Sequence, residues 1–275
     1  EVLKKLAHQP KKLGDFKGEY YSTVMFDETN AVKKDGTIKR ETRFPQNASE
    51  LVLSGPHFFV GNPVYKTPRA KCTLNSDYDI LDLTEIPDDY LPRTNYVPAC
   101  SLKEYQDRIP RVLWGEQKKV TEYYRIVFRR RLSQAGERTL ICSLLPENIA
   151  HIHTVISTSF EKNDTMLLCF SIMSSIVFDF LVKTSGKSDF TSGAMSFVPI
   201  FQFNSIKILI RILALNCVMS EFSNLWLINF NKDFNFEKWS KESEQLNSNF
   251  FKCLAPTWHR NCAFRTDYER RQALV

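Results

Sequence analysis

A chain of 275 residues with 43% apolar and 25% charged residues carries enough apolar content to bury a sizeable core, which excludes a disordered segment. Its formal charge of +6 favours a polyanionic partner without demanding one. Seven cysteines with no CxxC pair argue against a disulfide framework and a structural zinc site, and fit a reducing, cytoplasmic setting.

The polar start, EVLKKLAHQPKK, carries no secretory signal. The chain begins at Glu1 and stops after the charged, helix-prone DYERRQALV, so a piece of a longer protein is expected. Residues 1–48 read as a connector from an upstream domain, or as a hairpin turning at Asp35-Gly36. ELVLSGPHFFV predicts a strand, a turn at Gly55-Pro56 and a short strand. GNPVYKTPRAK follows as a basic loop. DYDILDLTEIP alternates polar and apolar residues, the pattern of a half-buried strand. Pro87, Pro92 and Pro98 make the next stretch an ordered loop.

Ser101, with Glu104 three residues on, predicts the start of a short helix that ends by Pro110. The stretch EYYRIVFRRRL fits strand, and also fits helix. RTLICSLLP and HIHTVISTSF are rich in β-branched residues and predict strands; Arg138–Leu145 and His151–Phe160 are expected to be neighbours, joined by the turn PENIAH. Asn163 or Asp164 caps a nearly all-apolar helix that runs to about Thr184, with Gly186 as its stop. Cys142 and Cys169 fall in apolar runs and are expected as buried thiols. AMSFVPIFQF predicts a strand closing at Pro199. Asn204 opens a second helix, with further helices over 221–230 and 236–254. The apolar runs near 166–182 and 206–230 are interrupted by charges, so core helices are expected rather than membrane spans. Strands first and helices afterwards predict an α+β fold, a mixed or antiparallel sheet with packed helices and a helical C-terminal segment. The division expected is 1–48, 49–203 and 204–275.

Sequence signatures of catalysis are missing. The chain has no GxGxxG, no P-loop and no FxGxG-type cofactor loop. It has no [DNS]PP[YF] tetrapeptide; Asn62-Pro63-Val64-Tyr65 lacks the second proline. It has no GxSxG. His151 and His153 would share one face of a strand, but without a third ligand at known spacing they read as ordinary strand histidines.

GPHFFVGNPVYKTPR, IPDDYLPRTNYVPA, YYRIVFRRRLSQAGERTLICSLLP and SSIVFDFLV followed by MSFVPI resemble, in this order, the C-terminal part of large single-chain restriction–modification DNA adenine methyltransferases, including the methylases of bacterial phage-defence islands. RILALNCVMSEFSNLW resembles the helical segment that follows in that family, and FRTDYERRQALV the start of its tail. The resemblance runs from about Leu51 to Val275. It implies a target recognition domain similar to those of type I specificity subunits. The methyltransferase core, with S-adenosylmethionine, would lie upstream, so this chain would bind double-stranded DNA and transfer nothing. Implied partners are duplex DNA, the upstream methyltransferase domain and other defence-system subunits. No cofactor is expected in the chain itself, and no membrane.

Candidate DNA contacts are the cations and short polar side chains of three segments, since cations meet phosphates and loop side chains reach base edges. They are Lys66, Arg69 and Lys71; then Arg93, Thr94 and Asn95; then Arg129, Arg130, Arg131 and Arg138 flanking the central strands. Two rival functions stand beside DNA recognition. One is catalysis, as a nuclease or methyltransferase. The other is a scaffold in which the Phe-rich C-terminal helices dock on the methyltransferase domain or a partner subunit, for which an exposed apolar patch on those helices would be the sign.

Overall fold

The β-branched run VISTSF is the strand about which most of the chain is organised. The computed structural model describes residues 1–201 and 205–275. Its strands, in chain order, are β1 (Tyr20–Val24), β2 (Ile38–Arg43), β3 (Val52–Leu53), β4 (Lys66–Pro68), β5 (Tyr78–Ile80), β6 (Thr94–Pro98), β7 (Arg125–Arg129), β8 (Cys142–Leu145), β9 (Ala150–His151) and β10 (Val155–Phe160). Its α-helices are α1 (Val2–Ala7), α2 (Leu102–Asp107), α3 (Asn163–Ser174), α4 (Ile176–Thr184), α5 (Ile206–Asn216), α6 (Ser223–Asn229) and α7 (Asp267–Leu274). The mixture of small, largely antiparallel sheets with helices is α+β. The chain divides into one unit of Glu1–Leu81 with Leu91–Phe201, and a second of Asp82–Tyr90 with Gln202–Val275.

In the first unit β10 pairs with β1 on one side and β7 on the other, and β8 completes a four-stranded antiparallel sheet in the order β1-β10-β7-β8. The strands expected to be neighbours, β8 and β10, are therefore separated by β7. The turn between them leaves the sheet. Ala150 and His151 pair in parallel with Val52 and Leu53, and β7 occupies the gap. EYYRIVFRRRL resolves as strand.

Alternation along β7 and β10 gives the sheet two different faces. Ile126, Phe128, Ile156 and Phe160 are buried on one face, which α3 covers with Met166, Leu167, Phe170 and Met173. Arg125, Val127 and Arg129 share the other face with Ser143, Ser157 and Ser159. A second apolar cluster in this unit includes Phe26, Ile38, Val52, Tyr105, Val120 and Ile152. Cys142 and Cys169 are fully buried, and burial pushes the Cys142 thiol up to about 12.

Several other expectations are corrected. Gly36 does turn the chain with φ 59°, but β1 and β2 form no hairpin. Each finds a distant partner, β10 and β6, so residues 1–48 supply two strands to the first unit rather than a connector. In 77–87 only Tyr78–Ile80 is strand, because the Asp77 and Asp82 carboxylates accept backbone N–H groups of Thr73, Leu74 and Thr84 and hold turns at both ends. The helix predicted over 163–184 breaks at Ser175, where α3 and α4 meet at 64°. α3 is buried, but α4 turns Ile176, Val177 and Phe180 outward. Gly186 follows its end with φ 66°. Of AMSFVPIFQF, residues 194–201 form no strand: Ser192–Phe197 winds as 3-10 turns, and Pro199 makes a single bridge to Lys12.

In the second unit α5 and α6 appear where helices were expected; Asn204, proposed as the start of α5, lies outside the described residues. Residues 236–254 form no α-helix. Ser243 and Asn247 accept backbone N–H groups two residues on, competing with helical bonds. Phenylalanine supplies the core instead: Trp239, Phe250, Phe251 and Phe264 form one aromatic cluster, with Phe250 and Phe264 centroids 4.4 Å apart. No single helix among the described residues is long and apolar enough to cross a membrane.

Candidate nucleic-acid interface

Charge is unevenly shared between the units. The first holds 27 Lys and Arg against 20 Asp and Glu, the second 10 against 11. The whole positive excess therefore belongs to the first unit, and any polyanion drawn by net charge is drawn there.

Two small β elements concentrate part of that charge. The β2–β6 ribbon carries Lys39, Arg40 and Arg43, and the β4–β5 hairpin carries Lys66, Arg69 and Lys71. Side chains tie them together. Arg40 Nη2 donates to the Cys72 carbonyl at 2.8 Å, next to Lys71. Arg93, just before β6, donates its backbone N–H to Thr67 Oγ1 at 3.0 Å, and its guanidinium lies 4.2 Å from the ring centroid of Phe44 at the end of β2. Phe44 is itself 48% exposed.

Carboxylates neutralise some of these cations. Lys39 pairs with Glu41, Arg43 with Glu41 and Glu50, and Arg69 with Asp79 at 2.8 Å. Such surface pairs are weak and exchange readily. Lys66 rests over the Tyr65 ring at 5.3 Å, while Lys71 is exposed. The platform is thus a net basic surface with an exposed aromatic ring beside Arg93. Arg40, Arg43 and Phe44 were not among the residues expected from sequence. Their signal was KRETRF itself, in which charge alternation and an aromatic end mark a solvent-facing strand.

A buried polar layer holds the platform rigid. His57 is fully buried; its Nε2 bonds the Arg93 carbonyl at 2.8 Å and its Nδ1 meets Ser54. Burial, first of all, lowers its pKa, so it stays neutral. Ser54 Oγ meets Tyr78 Oη at 2.9 Å, and Asn95 Nδ2 donates to Tyr78 Oη at 2.8 Å. Burial pushes the Tyr78 phenol up to about 12.

The expected contacts therefore separate. Lys66, Arg69, Lys71 and Arg93 come together on the platform. Thr94 and Asn95 do not face solvent. Thr94 Oγ1 donates to the Val52 carbonyl, and Asn95 is bound between Thr42, Cys72 and Tyr78. Reading a base would require breaking these buried bonds. Arg129 is also spent inside: Nε and Nη2 donate to the carbonyls of Gly55 and Phe58, both at 2.7 Å. It pins the loop that carries His57. Arg138, 8% exposed, donates to Ser174 and Ser175 carbonyls and pairs with Asp179. Arg130 and Arg131 are exposed on a different loop and share Asp189. The rest of the arginine-rich segment is interior as well, since Arg125 is fully buried with Nη2 on the Ile149 carbonyl.

His151 is enclosed, bonded to Ser157 Oγ at 2.8 Å, while His153 approaches Glu28 at 3.7 Å. Among the described residues no group of three His, Cys, Asp or Glu side chains is placed to hold a metal ion. No protein-family model and no curated protein matches the chain.

Proposed function

We propose that the first unit is a double-stranded DNA recognition module, a target recognition domain of the type I specificity-subunit kind, that steers an N6-adenine methyltransferase in a restriction–modification or phage-defence system. The observation that carries this reading is the platform: cations from two β elements, held on a rigid buried layer in the unit that contains all the excess positive charge. Lys66, Lys71 and Arg40 contact phosphates, where position matters and sequence does not. The reading assigns no bond-making step to this chain; S-adenosylmethionine and the transfer chemistry belong to the upstream domain of the parent protein.

Duplex binding measured against salt tests it. Each phosphate neutralised releases counterions, so these roughly three contacts give a log–log slope near −3. Lys71→Ala should reduce the slope by about one and weaken all duplexes alike. An affinity and slope unchanged in the combined Lys66, Lys71 and Arg40 to alanine variant would remove the platform from the DNA surface. The second reading, a docking scaffold, draws on the second unit, where Leu227, Ile228 and Phe236 are 54%, 55% and 84% exposed. It would then take precedence.

A further inference from the structure

The cations of the platform are not equivalent. Lys66 and Lys71 end flexible stems, point charges suited to phosphate. Arg43 and Arg69 have carboxylate partners, and one Nη of Arg40 is committed to a carbonyl. Arg93 differs from all of them. Its backbone is fixed on both sides, by Thr67 Oγ1 on the N–H and by His57 on the carbonyl. The next residue, Thr94, is fully buried and bonded to Val52. The guanidinium plane is set by its stack on Phe44. Among the described residues, its guanidinium makes one further contact, from Nη1 to the Pro68 carbonyl at 3.5 Å, the outer limit of a hydrogen bond. A guanidinium held by one face, with its backbone immobilised, offers its donor edge at little further entropic cost.

Resting on the DNA reading above, we infer that Arg93, oriented by Phe44, is the base-reading residue of the platform, its two-pronged edge donating to O6 and N7 of one guanine in the major groove. The two acceptors of guanine match the spacing of the guanidinium fork, and no other base presents both. Phe44 acts as a positioning residue: it touches the arginine rather than the base. The lysines around it hold the backbone in register while Arg93 selects.

The test uses the whole 275-residue chain and duplexes recovered by it from a pool with a randomised core. Every single-base variant of the preferred duplex is then titrated at low salt against wild type, Arg93→Ala and Phe44→Leu. The inference expects Arg93→Ala to lose about 5- to 150-fold of discrimination at one G·C position only, with the salt slope unchanged. Phe44→Leu, which keeps every charge, should lose part of the same discrimination at the same position. If Arg93→Ala instead weakens every duplex by one factor and lowers the slope by about one, Arg93 holds a phosphate and the inference falls while DNA recognition stands. Loss of discrimination at a position other than G·C also overturns it. A wild-type chain that recovers no preferred duplex and binds without salt dependence overturns the DNA reading, and the inference with it.

Discussion

Asp179 should be among the residues whose loss costs this protein most. It sits in the first turn of α4, just past the break at Ser175, where a negative charge is favoured by the helix dipole. Its carboxylate accepts the backbone N–H of Thr139 at 3.0 Å and of Leu140 at 2.6 Å, and lies 3.4 Å from Arg138 Nε. Arg138 in turn caps the last carbonyls of α3, donating to Ser174 at 2.7 Å. The pair therefore holds both helix ends at the 64° bend and fastens them to the segment entering β8. Asp179→Ala leaves a buried guanidinium without its carboxylate, a loss of about 3–5 kcal/mol, and two buried N–H groups without acceptors, about 1–3 kcal/mol each. These losses overlap, since one carboxylate serves all three, so a total near 4 kcal/mol is expected. In a unit of this size that corresponds to a fall of about 10 °C in unfolding temperature. Thermal and urea unfolding followed by circular dichroism would measure it. Pairing the change with Arg138→Met should cost less than the sum of the single variants, because the unpaired charge is then gone. A loss below about 1 kcal/mol for Asp179→Ala, or strict additivity with Arg138→Met, would refute the clamp.

Acid should destabilise the first unit well above the range where carboxylates titrate. Burial, aided by Arg125, pushes the His151 pKa down to about 3, whereas an unfolded histidine titrates near 6.5. Between those values the unfolded chain binds a proton that the native chain refuses, so stability falls as pH falls from about 6.5 towards 3, by about 2 kcal/mol between pH 7 and pH 5 for this group. His57, its pKa also lowered by burial, adds in the same direction; urea midpoints equal at pH 7 and pH 5 would contradict both. Tyr105 is 1% exposed and its hydroxyl has no hydrogen-bond partner among the described residues, so Tyr105→Phe should be neutral or stabilising by up to about 1 kcal/mol. A clear loss in the same unfolding assay would mean that the hydroxyl is satisfied after all.

Local patterns in the sequence decided local structure. The apolar run of β8 and the β-branched run of β10, the Ser101 cap of α2, whose Oγ accepts the Glu104 N–H, the stop at Gly186 and the buried thiols were legible because each depends on neighbours a few residues away. The grouping of Lys66, Arg69 and Lys71 was legible for the same reason, although the loop expected there holds strand β4 at Lys66–Pro68. Strand partners were not. VISTSF could pair with any strand of matching alternation, and its neighbours β1 and β7 were chosen by the path of the chain through β9. The arginines show the limit most clearly. Arg129 and Arg138 look in sequence like Arg130 and Arg131, yet Arg138 is buried and Arg129 half-buried, while the other two are exposed. The sequence sets the charge, but a guanidinium is buried only where carbonyls or carboxylates from distant segments meet it. Those groups, Gly55 and Phe58 for Arg129, Ser174 and Asp179 for Arg138, come within reach only when the tertiary structure forms.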